Sequence, residues 1–95
     1  MREFKIEPEL EKRLIKLSKK NKSSYEAIMK KIYEVAASSD LEHYKNLRYE
    51  MKEYKRVHIG HFVLIFKYNH LRDIILFKDY EHHDKIYSKY FVVLF

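Results

Sequence analysis

Arg56 and His58 stand two positions apart in the run Tyr54-Lys55-Arg56-Val57-His58-Ile59. In an extended segment alternate side chains share a face, and residues two apart lie about 6.5–7 Å from one another. Tyr54, Arg56 and His58 then share one face, while Lys55, Val57 and Ile59 share the other. A guanidinium and an imidazole at that separation can flank one phosphate, the cation holding its oxygens and the imidazole moving a proton. The competing reading is a solvated sheet face with incidental polar residues.

A second cluster, His82-His83-Asp84-Lys85-Ile86-Tyr87, follows the last segment of strand character. Two imidazoles, a cation and a phenol at the end of an element can donate and accept protons in phosphoryl chemistry. Histidine suits the task because its reference pKa, about 6.5, leaves both forms populated near neutrality. An exposed turn with histidines of no special role is the alternative. Metal coordination is another use for six histidines, with His58-Ile59-Gly60-His61 and His82-His83-Asp84 as sources of ligands. There is no HExxH helix and no cysteine, and alternating strand faces separate neighbours, so no metal is expected. One glycine cannot build a phosphate loop, a dinucleotide fingerprint or a nucleophile elbow, so no small-molecule cofactor is expected either.

These residues must be positioned by a small framework. Ninety-five residues make a single domain, 1–95, with 46% hydrophobic and 36% charged residues, the balance of a globular chain. No apolar run approaches the roughly 20 residues of a membrane helix, and Met1-Arg2-Glu3-Phe4-Lys5 lacks a signal-peptide apolar region, which makes a cytoplasmic location the default. Lys and Arg total 20 against 14 Asp and Glu, a net charge of +6 that favours polyanionic partners. Basic residues crowd into two stretches: Lys12 to Lys31, and Lys45, Arg48, Lys52, Lys55 and Arg56. The first fits a solvated helix exterior, whereas the second leads into the Arg56/His58 segment and is the better candidate for guiding RNA phosphates.

Phe4-Lys5-Ile6 reads as a short strand. Pro8 opens a helix over about 8–20, with Leu10, Leu14 and Leu17 on its apolar stripe and Glu9 and Glu11 near its positive end. Asn21 suits a left-handed cap, and Ser23-Ser24-Tyr25-Glu26 has the capping-box form for a second helix to about residue 37. Together they predict a helical hairpin, followed by a polar connection over 41–53. Tyr54 to Ile59, Phe62 to Tyr68 and Ile74 to Tyr80 read as strands, with Gly60 in the first turn and Asn69 to Asp73 in the second. Phe62-Val63-Leu64-Ile65-Phe66 is apolar at both parities, as in a central strand covered on both faces. Phe91-Val92-Val93-Leu94-Phe95 reads as a last strand or core plug, with a docking segment for a partner as the alternative. The fold class is therefore α+β: an N-terminal strand and helical hairpin packed on a mostly antiparallel sheet of about four strands.

This order of elements resembles the RelE/ParE superfamily of type II toxin–antitoxin toxins. The most specific stretch runs from Leu47-Arg48-Tyr49 through Tyr54-Lys55-Arg56-Val57-His58-Ile59-Gly60 to Phe66, and His82-His83-Asp84-Lys85-Ile86-Tyr87 is similar to the superfamily's H-R-x-x-[VI]-Y ending. The resemblance implies a ribosome-dependent mRNA endoribonuclease, neutralised by a cognate RelB-like antitoxin protein. Its metal-independent chemistry would have the RNA's own 2′-OH attack the adjacent phosphate. Matched residue by residue, it assigns Arg56 to the phosphate, His58 and His83 to proton transfer, and Tyr87 to stacking on or hydrogen-bonding the nucleotide. Arg48, Lys52, Lys55, His82 and Lys85 would bind the RNA backbone.

Two positions depart from the pattern. Val63 follows Phe62 where many members carry arginine, and the loop glycine expected near Glu50-Met51 is absent. Two other readings therefore stay open: a ParE-like toxin that binds a topoisomerase without cleaving RNA, and an inactive basic interaction module.

Overall fold

The computed structural model describes residues 1–90, so the expectation for the apolar tail at 91–95 lies outside the described residues. Strand β1 spans Glu3–Ile6, helix α1 Pro8–Lys20 and helix α2 Lys22–Ala37; β2, β3 and β4 span Lys55–Ile59, Phe62–Asn69 and Ile74–His82. A short helix, α3, covers Ile86–Tyr90, and the connection after α2 holds two single-turn 3-10 helices, Leu41–His43 and Tyr49–Met51. No helix among the described residues is long and apolar enough to cross a membrane.

The sheet order is β1-β4-β3-β2. Strands β2, β3 and β4 form an antiparallel meander, whereas β1 pairs parallel with β4 over Phe4 opposite Ile75 and Ile6 opposite Phe77. The sheet is therefore mixed, and β3 and β4 are its central strands. Gly60 takes a positive φ of 61° in the two-residue turn between β2 and β3, where a side chain would be strained.

Two apolar clusters hold the layers. On one face, Leu10 and Leu14 of α1 and Ile28, Ile32 and Val35 of α2 pack on Leu64, Phe66, Ile75 and Phe77. Each such side chain, removed from water, contributes about 1.5–3 kcal/mol. On the other face, Ile86 of α3 packs with Leu47, Met51, Val63 and Ile65. The central β3 strand is covered on both sides, as its unbroken apolar run predicts.

The helix hairpin is tighter than its sequence suggests. Asn21 alone joins the helices: its backbone N–H donates to the Leu17 carbonyl at 2.8 Å, and its side chain accepts from the Ser24 N–H at 3.2 Å. The expected capping box led by Ser23 does not form, because Asn21 already occupies the capping position. Its φ of −146° also departs from the expected left-handed cap.

Candidate active site

The pairing register places Arg56 beside Ile65 and His58 beside Val63. Both therefore project from the sheet face that α3 covers, the face opposite the helical hairpin. Tyr54, on the same parity, packs against that cluster as well. Arg56 is half-buried, and its backbone N–H donates to the Lys45 carbonyl at 2.9 Å. Its Nε is buried without a hydrogen-bond partner among the described residues. Such a donor ordinarily costs about 1–3 kcal/mol, and the guanidinium as a whole is a planar fork suited to an oxyanion. His58 is exposed one pair inward from the β2–β3 turn.

Tyr87 reaches this face from α3. Its ring packs on the Leu47, Met51, Val63 and Ile65 cluster, and its hydroxyl accepts the Arg48 N–H at 3.1 Å. The Tyr49 ring meets it edge-on, with centroids 6.3 Å apart. Tyr49 is 71% exposed and has a φ of 59°, an uncommon conformation for a bulky residue. The left-handed turn that a loop glycine would ease falls instead on this aromatic. Tyr49 is a nucleotide-stacking candidate that the sequence patterns did not single out; the missing glycine was the available signal.

His83 lies just past β4, at the hairpin end of the sheet. Its backbone N–H and its ring Nδ1 both approach the His61 carbonyl oxygen at 3.0 Å. A carbonyl only accepts, so Nδ1 carries a proton and Nε2 faces outward, 2.8 Å from the Asp84 carboxylate. Arg56, His58 and Tyr87 thus share one face, with His83 at its end. Arg48, Lys52 and Lys85 are exposed.

Two residues expected to bind RNA are placed elsewhere. Lys55 is only 6% exposed, on the hairpin side of β2, where its Nζ donates to the Tyr44 carbonyl and to Asn46 Oδ1 at 3.1 Å. It is a structural cation, because its parity places it with Val57 and Ile59. His82 ends β4 opposite Phe62, on the hairpin side of the sheet, with its ring edge-on to Phe62. The strand runs two residues beyond Tyr80, and that extension turns His82 to the hairpin side, where its ring still stacks on that of His83 with centroids 4.9 Å apart. The Val63 departure also has a physical reason: Val63 is 1% exposed in the cluster with Ile86, a position that would bury an arginine.

Asp79 anchors the helix that presents Tyr87. It is 4% exposed and accepts from Lys89 Nζ and Arg13 Nη1, each at 2.6 Å, and from the Tyr90 hydroxyl. Burial pushes its carboxyl up, but hydrogen bonds from Lys89, Tyr90 and the Tyr80 N–H outweigh this and hold it below its ordinary value. Burial, then the hydrogen bond to Asp79, pushes the Tyr90 phenol up, so it remains a proton donor.

A scan against protein-family profiles finds no match. A protein of Methanocaldococcus jannaschii named "Putative toxin RelE4" is 44% identical over 90 residues, covering 94% of each chain. The chain belongs to the RelE family of toxins. An uncharacterized protein of Methanosarcina mazei is 44% identical over 85 residues, which cover 88% of this chain and 96% of the relative. The solved toxin–antitoxin complex RelBE2 of Mycobacterium tuberculosis contains a chain with the same fold, at a TM-score of 0.71 and 14% identity. That match covers 86% of this chain and 98% of the other.

Proposed function

We propose that this RelE-family chain cleaves messenger RNA on the ribosome and is held inactive by a cognate antitoxin. The observation that carries the reading is Arg56: a half-buried cation beside His58 on the Tyr87 face, whose Nε has no acceptor among the described residues. In this reading Arg56 holds the scissile phosphate and stabilises the charge that develops on it. One imidazole of the His58 and His83 pair removes the 2′-OH proton, and the 2′ oxygen attacks phosphorus. The P–O5′ bond breaks, leaving a 2′,3′-cyclic phosphate, and the other imidazole protonates the departing 5′ oxygen. His83 suits the second role, because the His61 carbonyl orients its ring, and Nε2 would turn from the Asp84 carboxylate, 2.8 Å away, to the 5′ oxygen.

Tyr87 and Tyr49 provide aromatic surface for a splayed base. Arg48, Lys52 and Lys85 track the backbone, and the net charge of +6 favours both a polyanionic substrate and an acidic antitoxin. Lys55, buried on the hairpin side, has no part in this RNA path.

The test is translation-coupled cleavage in vitro, comparing wild type with His83→Ala and Arg56→Ala. Wild type should cut within codons on ribosomes, and both variants should lose the cut while melting like folded proteins. Intact message with wild type, or equal cutting by all three, overturns the reading. Growth arrest that persists in both variants together with DNA damage would point to topoisomerase binding.

A further inference from the structure

We propose that His82, His83 and Asp84 form a binding site for a divalent transition-metal ion of the zinc and copper class, and that its occupation withdraws His83 from RNA cleavage. The second half rests on the nuclease reading; the first does not. One nitrogen from each imidazole and one Asp84 carboxylate oxygen lie within 4.8 Å of one another. His83 Nε2 is 2.8 Å from Asp84 Oδ1, and His82 Nδ1 is 3.6 Å from Asp84 Oδ2. Bonds of about 2.0–2.2 Å place two ligands of one tetrahedral zinc ion about 3.3 Å apart. The two histidine–carboxylate distances bracket this, and a small side-chain rotation would bring all three ligand atoms, now within 4.8 Å, onto one ion.

The surroundings favour coordination over an incidental cluster. Metal-bound histidines usually donate their other ring N–H to a carbonyl or carboxylate, which fixes the tautomer and aims the ligating nitrogen. His83 has that arrangement, with Nδ1 on the His61 carbonyl at 3.0 Å. Its Nε2 then meets a carboxylate oxygen, and two lone pairs can face each other so closely only with a proton or a metal ion between them. His82 Nδ1 also presents a lone pair, since it accepts the Asp84 N–H at 3.2 Å; an ion would take over that lone pair. The His82 ring is held by the Phe62 edge at 5.4 Å and the parallel His61 ring at 6.3 Å.

Two imidazoles and one carboxylate suit zinc, copper, nickel or cobalt better than magnesium or calcium, which prefer oxygen ligands. Asp84 is exposed, so a fourth position opens to solvent. An ion there engages Nε2 of His83, the atom that proton transfer to RNA requires.

Tag-free protein should be titrated with Zn²⁺ by calorimetry and with Co²⁺ by visible absorption. We expect one ion per chain and at least tenfold weaker binding in His82→Ala and in Asp84→Asn. No binding, or binding unchanged in both variants, overturns the site. In the ribosomal assay, saturating Zn²⁺ should lower wild-type cleavage at least tenfold, and a zinc-selective chelator that spares magnesium should restore it. Undiminished cleavage with the ion bound overturns the inhibitory role. If wild type never cleaves, the nuclease reading fails while the titration still decides the site.

Discussion

Arg13 of α1 and Tyr90 of α3 meet on one carboxylate, that of Asp79 in β4, although the two helices pack on opposite faces of the sheet. They can do so because β1 pairs with β4 only as far as Phe77, which leaves residues 78–82 as an edge that side chains wrap around. Lys89 completes the arrangement from α3. A five-residue helix cannot hold itself by backbone hydrogen bonds, so its position over the Arg56 face depends on Ile86 and on this clamp.

Removing the clamp should therefore loosen α3 in particular. Asp79→Asn should destabilise the fold by about 3 kcal/mol, because it breaks a buried charged network. Tyr90→Phe should cost about 1.5–3 kcal/mol, the range for a hydrogen bond to a charged group. Urea unfolding measures both, and hydrogen exchange should rise in 86–90 before it rises in α1. A change below about 0.5 kcal/mol in both variants would mean the clamp contributes only as a surface ion pair does.

The same carboxylate sets an acid limit. Its folded-state pKa lies below the ordinary value, so folding favours the ionised form. That stability is fully present above the unfolded pKa of about 3.9 and is lost as pH falls through the lower folded value. Wild type and Asp79→Asn should differ most in melting temperature above about pH 5, and the gap should begin to close below about pH 4 and keep narrowing as pH falls further. A gap that stays constant down to pH 3 would assign the effect to packing instead of charge.

Much of this architecture is legible in the sequence, for reasons that specific residues show. Pro8, Leu10, Leu14 and Leu17 define α1 to the residue, since an N-terminal proline and a repeated apolar stripe are local signals. The doubly covered β3 is legible from its unbroken apolar run. The parallel β1–β4 pairing joins segments some seventy residues apart, and no local pattern encodes it. Helix α3 is too short to show a period, so no helix is legible over Ile86 to Tyr90, although His82 to Tyr87 stands out as a cluster. In the candidate site, parity alone placed Arg56 with His58, and the same parity put Lys55 beside Val57 and Ile59. The burial of Lys55 was thus available to be read, but its cluster of basic neighbours suggested a surface role. For His82 the decisive fact was where β4 stops, which is the least certain feature of any strand read from sequence.

The separation of Lys55 from the exposed cations gives a paired expectation. Lys55→Ala should cost about 2 kcal/mol, because it leaves the Tyr44 and Asn46 oxygens without their donor. The salt dependence of RNA binding should stay as it is. Lys52→Ala and Lys85→Ala should leave stability within about 0.5 kcal/mol and lower the slope of log affinity against log salt by about 1 each. Fluorescence anisotropy with a short RNA across a salt series measures the slope. Equal slopes for all four proteins would remove Lys52 and Lys85 from the RNA path.

Tyr49 offers a trade of stability against binding. Holding a side chain in left-handed backbone costs about 1–2 kcal/mol, so Tyr49→Gly should stabilise the fold by up to about 1 kcal/mol. The same change removes an exposed ring, and base stacking on an aromatic is worth about 1–3 kcal/mol. RNA affinity should therefore fall five- to hundredfold as the melting temperature rises. Unchanged affinity in a stabilised variant would make Tyr49 a turn residue only.

Arg56→Met separates function from structure more sharply. Methionine keeps most of the apolar stem and removes the buried Nε that has no partner, so folding should gain about 1 kcal/mol. In a domain of this size that corresponds to a rise of roughly 4–8 °C in melting temperature. If Arg56 is kept for a phosphate, the more stable variant should cleave at least a hundredfold more slowly, the scale of losing a preorganised charge at a reacting group. A protein that keeps its residues for packing would gain stability without loss of activity. Differential scanning calorimetry beside the ribosomal cleavage assay gives both numbers, and a variant that melts lower while cutting normally would show that Arg56 serves the fold instead of the phosphate.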